Sequence, residues 1–260
     1  MLPSIRSFFG LEQKFLVWNL VGRNLKLRYR RSALGYAWTL LIPLSTATIY
    51  YFLFQIVLKV QIPDFAAYVV TGILIWSFFA GTLSEGMESL MANVGLLLQV
   101  NVPMNVFPLT TSISNLTTLF FATPVILLVC LLNGIPIGFW AFLTLFYIAL
   151  LFIQAYCVSY LLAISVIYVR DLRQVMGMIM QVWMYGTPVL YQSNSLPEKY
   201  HWVLYANPVG KIFAGVHNVL MRNLPPTQAE VFVPLIWTST IFMITMYVHR
   251  RASKKALERV

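Results

Sequence analysis

The chain has 260 residues, 59% of them hydrophobic and only 10% charged, with a formal net charge of +10. A soluble domain carries about 25% charged residues, and from Ser89 to Val169 this chain has no Asp, Glu, Lys or Arg at all. Those figures exclude an ordinary soluble domain and predict an all-α polytopic membrane protein.

The first predicted element precedes residue 35. Phe8, Leu11, Phe15, Trp18, Gly22, Leu25 and Tyr29 recur three and four residues apart, which on a helix makes one apolar face about 100° wide. Arg6, Glu12, Arg23, Arg28 and Arg30 fall off that face, and Lys14 and Lys26 lie near its margins. The pattern fits a helix lying in the membrane interface, one packed on a partner's soluble domain, or both. It ends in "KLRYRR", directly against an apolar run. Arg28, Arg30 and Arg31 are therefore expected at headgroup depth, where positive charge meets anionic lipid. A planar guanidinium can also pair its N–H groups with phosphate oxygens, as lysine cannot, so these three are candidates for holding a phosphate-bearing headgroup. Gly35 would let the chain bend from the interface into the first span.

A span needs about 20 apolar residues. Six are predicted, at 35–58, 65–84, about 108–132, 139–169, about 174–191 and 231–248. The chain thus divides into an N-terminal segment (1–34), a six-helix membrane domain (35–248) and a tail (249–260). With six spans, 14 of the 18 cations fall on one side, in the N-terminal segment, at Arg170 and Arg173, and in the tail. Lys59, Lys199, Lys211 and Arg222 fall on the other. The positive-inside rule then puts both termini in the cytoplasm. The cations sit beside spans and not on a separate soluble module, so nucleic acid is not an expected partner.

Chemistry-bearing motifs are missing from the sequence. It has no G-x-x-x-x-G-K-[ST] loop, no H-E-x-x-H and no G-x-S-x-G elbow. His201, His217 and His249 are scattered, and Cys130 and Cys157 both lie inside apolar runs, implying neither a disulfide framework nor a metal site. No cleavable leader is expected at the N-terminus, where seven cations precede Leu34. The predicted spans contain no ionisable residue apart from Tyr and Cys, unlike most ion-coupled carriers. An enzyme is not expected. What remains is a passive homo-oligomeric channel, or a pump whose energy enters through another polypeptide on the cytoplasmic side.

Four segments carry a family resemblance. "LKLRYRRSALGYAWTLLIPL" (25–44), "LLQVNVPMNVFPLTTSISNL" (97–116), "YVRDLRQVMGMIMQVWMYGTPVLY" (168–191) and "LPEKYHWVLYANPVGKI" (196–212) occur in the order found in the ABC-2 type polysaccharide export permeases, which the chain resembles over nearly its whole length. The matching positions include Gly35, Arg170, Asp171, Thr187, Pro188, Asn207 and Pro208. The resemblance implies six spans with an N-terminal interface helix, a cytoplasmic coupling helix between spans two and three, and two re-entrant helices before the last span. It implies a homodimer in the inner membrane, paired with two copies of an ABC ATPase that hold ATP and Mg, and no cofactor in this chain. The cargo would be a lipid-linked polysaccharide, O-antigen foremost. Capsule, teichoic acid, or the lipids and drugs of other ABC-2 exporters are the alternatives. Coupling would fall to 93–107, through Asn93, Val100, Val102, Pro103, Met104, Val106 and Phe107. Relatives often carry lysines where this chain has Leu98 and Gln99, so docking here would be mainly apolar. Spans one and five would line the conduit, making Trp38, Tyr50, Tyr51, Trp183, Tyr185 and Tyr191 candidates for stacking on sugar rings.

A reporter that is active only outside the cytoplasm should be silent when fused after Val260 and active when inserted near Asn194. Reporter activity in intact cells checks this, and the reversed pattern would rule out the six-span orientation.

Overall fold

A computed structural model describes residues 13–28, 32, 34–59, 63–99 and 102–257. Arg30, Arg31, Val100, Phe8, Leu11 and Tyr29 lie outside the described residues. Among the described residues there is no strand. The helices are α1 (Lys14–Arg28), α2 (Trp38–Tyr51), α3 (Phe65–Glu88), α4 (Val94–Gln99), α5 (Val106–Leu132), α6 (Leu143–Tyr168), α7 (Leu172–Tyr185), α8 (Trp202–Ala206), α9 (Gly210–Met221) and α10 (Gln228–Leu257). A 3₁₀ turn at Gly35–Ala37 leads into α2, and a π-helical turn at Phe52–Val57 closes it. Gly35 has φ +48°, the left-handed region that glycine enters without strain, at the turn that leads into α2.

Among the described residues, five helices are long and apolar enough to cross a membrane: Gly35–Val57, Phe65–Glu88, Val106–Leu132, Phe139–Tyr168 and Gln228–Arg251. The predicted fifth span departs from a simple helix. The 14 residues of α7 rise about 21 Å, short of the roughly 30 Å hydrocarbon core. Beyond Tyr185 the chain continues through turns to Tyr191. It nevertheless runs antiparallel along all of α3. Arg173 pairs with Glu88 (2.9 Å), Trp183 meets Phe79 edge-on (5.3 Å between centroids), and the Tyr68 hydroxyl donates to the Tyr191 carbonyl (2.6 Å). The helix stops where Pro188 lacks an N–H and biases Thr187 away from helical geometry. The freed Gly186 carbonyl is taken up by the Asn207 amide (3.0 Å), as a non-helical stretch inside a membrane bundle requires.

The ends of the bundle differ. Val17, Leu20 and Val21 of α1 share one apolar cluster with Leu90, Leu97, Phe107, Tyr160 and Met246. The N-terminal helix and the far end of α10 therefore sit at the same end. Helices α6 and α10 run parallel there, tied by Gln154 to Thr238 (2.9 Å) and by Tyr160 to His249 (2.7 Å). The predicted tail is a continuation of α10 as far as Leu257, with no break at residue 248. The predicted interface face of α1 is open at Phe15 and Trp18, 83% and 58% exposed, but Leu25 of the same face packs against the bundle. Most of the helix's contact with the bundle is made by Val17, Leu20 and Val21, its buried residues. Most hydroxyls within the spans bond back to the carbonyl four residues earlier, as Ser45, Thr48, Ser112 and Ser114 do, and so bring little unpaired polarity into lipid.

Close approach fixes the packing of α3. A β-carbon at Gly72 would lie 2.5 Å from the Val189 carbonyl oxygen, and one at Gly86 would lie 2.6 Å from the Ser159 Cβ. Gly72→Ala should destabilise the protein by about 1–3 kcal/mol, because a backbone oxygen cannot rotate away. Gly177→Ala, which meets nothing within 4 Å, should stay within about 0.5 kcal/mol or gain slightly. Equilibrium unfolding in mixed detergent micelles checks the pair.

Candidate functional site

Three groups of residues near the ends of the bundle carry its polar chemistry. The first surrounds Arg28, the last residue of α1. Its Nη2 bonds to the Glu85 carboxylate of α3 and to Asn115 Oδ1 of α5 (3.2 Å), and its Nη1 bonds to Thr118 Oγ1 (3.1 Å). Asn115 closes the ring by donating to the same carboxylate oxygen (3.0 Å). Arg28 was a candidate for lipid phosphate; here its guanidinium is engaged by protein and ties α1 to α3 and α5. One turn beyond Glu85, Glu88 pairs with Arg173 at the start of α7. Arg170 and Asp171 form the exposed turn before α7. Sequence reasoning missed Glu85, Glu88, Asn115 and Arg173. The signal was available, since Glu85 and Glu88 are carboxylates on the side that carries most of the cations.

The second group is the segment between α3 and α5. Val102, Met104, Val106 and Phe107 were expected on a docking surface, but all four are buried in the chain's own core, Phe107 at 1% exposure. They pack in the cluster built on Val17, Leu20, Val21, Tyr156 and Tyr160. An uncharged segment has the same pattern whether its apolar groups face a partner or their own fold, and here α1 covers them. The outward residues are Ala92, Gly95, Leu98 and Gln99, with Leu98 66% exposed. Pro103 is half-buried. Asn93 accepts from Arg23 of α1 (2.5 Å) and donates to the Ser89 carbonyl (2.7 Å).

At the opposite end, Asn207 is the centre of a hydrogen-bond knot. Its Oδ1 accepts from Trp183 Nε1 (2.9 Å) and from the Val209 N–H (3.1 Å), and its Nδ2 donates to the Gly186 carbonyl and to Thr187 Oγ1 (2.8 Å). Gln154 of α6 reaches the Pro208 carbonyl (3.4 Å). The structure thus brings Thr187, Asn207 and Pro208 together around the end of α7. Pro188 is adjacent, its carbonyl accepting from the Tyr68 hydroxyl (3.1 Å). Trp183 is half-buried with its N–H committed to Asn207.

The remaining aromatic candidates lie on α2, α7 and the extension beyond it. Helix α2 buries only Pro43 and Ala47, and α7 only Met176 and Met180. Their open faces carry Trp38, Tyr51 and Tyr185, exposed by 42%, 37% and 58%. Tyr50 and Tyr185 join the two helices, hydroxyl to hydroxyl, at 3.2 Å. Tyr191 is half-buried.

The Arg28 cluster yields a measurable coupling. In a double-mutant cycle with Arg28→Gln and Glu85→Gln, the pair should show a coupling of about 1 kcal/mol, since Glu85 remains open to solvent and screening limits its worth. Additive single effects in the same unfolding assay would mean that the pair does not hold α1.

Residues 16–221 match the family profile described as ABC-2 type transporter. An O-antigen export system permease protein RfbA of Klebsiella pneumoniae is 30% identical over 223 residues, covering 85% of this chain and 86% of the relative. One of the same name from Myxococcus xanthus is 28% identical over 255 residues, covering 93% and 96%. The open faces of α2 and α7, the turn held by Asn207 and the polar ties at the α1 end thus occur in a chain that aligns nearly end to end with membrane permeases. The chain belongs to the ABC-2 type transporter membrane family.

Proposed function

We propose that this chain is the transmembrane subunit of an ATP-driven exporter that moves a lipid-linked polysaccharide, O-antigen foremost, across the inner membrane. The observation that carries this is the alignment of 85% or more of the chain with proteins named O-antigen export system permeases. Two copies pair with two cytoplasmic ATPase subunits, which bind ATP and Mg. Both termini are cytoplasmic, and the chain crosses six times. The shared end of α1 and α10, together with the full-depth run of residues 172–191 along α3, supports an even number of crossings.

The conduit forms between the open faces of α2 and α7 of the two copies. Sugar C–H faces stack on rings such as Trp38 and Tyr185 while hydroxyls bond to polar groups, so a polymer can advance without a fixed register. The ATPase docks on the outward side of 92–99, with Leu98 as its apolar anchor. Removing one large anchor from an interface costs about 2 kcal/mol or more.

Purified alone, the chain should show no ATPase activity. Co-purified with its partner it should, and disabling the partner's ATP site should abolish export. Export that persists without hydrolysis would favour a passive channel. Leu98→Asp should leave the fold intact but release the ATPase or uncouple hydrolysis from export. Phe107→Ala should instead lower stability by about 3–5 kcal/mol, as for a buried ring lost from a core. Pull-down yield and unfolding midpoint, measured on both variants, separate the two roles.

A further inference from the structure

At the end of the bundle remote from α1, a cavity of about 160 Å³ opens between the start of α3, residues 192–193 and the end of α9. We propose that this cavity is a binding site for a single pyranose residue of a glycan, an inference that rests on the polysaccharide-export reading and names where the polymer is held as it leaves.

Size and chemistry select the ligand. An engineered protein cavity of about 150 Å³ takes up one benzene ring, so this space is of the size for a single six-membered ring. The polar lining comes from Asp64, Gln192, Ser193, Asn218 and Arg222. That is one carboxylate, one guanidinium, two amides and a hydroxyl, a mixture of donors and acceptors. A calcium ion would need six to eight oxygen ligands, and the site has one carboxylate. An anion would meet Arg222 together with the opposing charge of Asp64. A polyhydroxylated ring uses both, since a carboxylate can accept from two neighbouring hydroxyls while the guanidinium donates to others.

The groups are also held in place without being used up. Arg222 donates to Gln192 Oε1 (2.9 Å), which leaves the Gln192 amide N–H groups to donate. Asn218 donates to Glu230 (2.6 Å), which leaves its own Oδ1 to accept. Behind them the Tyr68 ring stacks on the buried His217 ring at 3.7 Å, giving the cavity a rigid back wall.

Asp64 supplies an independent observation. It occupies the N-cap of α3 at φ 54° and ψ 33°, yet its side chain makes no capping hydrogen bond. Aspartate enters the left-handed region more readily than most residues, and at an N-cap it ordinarily bonds the first turn. Here the carboxylate is exposed and has no partner among the described residues.

The test uses the full chain in lipid nanodiscs and saturation-transfer NMR. The probes are the methyl glycosides of D-glucose, D-galactose, D-mannose and L-rhamnose, with glycerol as the control polyol. At least one pyranoside should give a saturable signal that glycerol does not. Asp64→Ala and Arg222→Ala should each weaken it roughly tenfold, the worth of a hydrogen bond to a charged group. Both residues are exposed, and an unchanged unfolding midpoint confirms that the variants fold. Tyr200→Ala, which removes an exposed ring outside the cavity, should leave the signal intact. The proposal is overturned if no probe exceeds glycerol, if the signal survives both cavity substitutions, or if inorganic phosphate abolishes it. Binding is read without the ATPase. Normal export with no pyranoside binding therefore defeats this inference alone, and pyranoside binding in a protein that exports no polymer defeats the export reading alone.

Discussion

Lipid tails are as apolar as leucine, so burying a leucine between two membrane helices gains little that lipid would not supply. What holds such a bundle is backbone approach, shape and hydrogen bonding. In this protein those contacts converge on α3. The helix packs against α2, α5, α6 and α7, and its glycines face the 186–191 extension at Gly72 and α6 at Gly86. Its polar side chains take the ends of its neighbours: Tyr68 holds the extension, Glu85 holds α1 and Glu88 holds α7.

This arrangement gives α2 and α7 an unusual position. They bury few side chains of their own, yet α7 is pinned to α3 at both ends of its run. A segment attached at its ends and open along one face can present that face to a second copy, or to a passing polymer, without losing its place in the fold. Two carboxylates one turn apart on α3 receive Arg28 from α1 and Arg173 from α7. The two elements that approach the α1 end of the proposed conduit therefore share one rigid support, and a displacement of α3 would move both.

Much of this was legible in the sequence because membrane spans are long runs with few charges. Four of the six predicted spans appear as single long helices, and the first as a helix continued by 3₁₀ and π turns. The fifth predicted run is also apolar, but apolarity does not distinguish a helix from a half-helix with an irregular end. What breaks α7 is Pro188, together with a side chain at position 207 that no local pattern places beside it. The direction of the 102–107 side chains was illegible for a related reason: composition records that they avoid water, not which surface covers them. Arg28 was read as a free cation because its acceptors, Glu85, Asn115 and Thr118, are more than 50 residues away in sequence and meet it only when α3 and α5 stand side by side.

The Asn207 knot shows how a polar residue can carry a fold where apolar burial cannot. Ending a helix inside a membrane bundle exposes carbonyls that water does not reach, each costing several kcal/mol if left unpaired. One asparagine meets that demand at the end of α7 with its two N–H donors, and its oxygen holds Trp183 and the turn into α9. The four bonds join the end of α7 to the short helices that precede α10. Through Gln154, which reaches both the Pro208 carbonyl and Thr238, the same network extends to α6 and α10. The irregular backbone at this end is thus neither slack nor independently stable, and its geometry is set by side chains on three other elements. Serine at position 207 could not reach these partners, and aspartate, which is acceptor-only when ionised, would leave Gly186 without a donor and place a charge where an amide is needed.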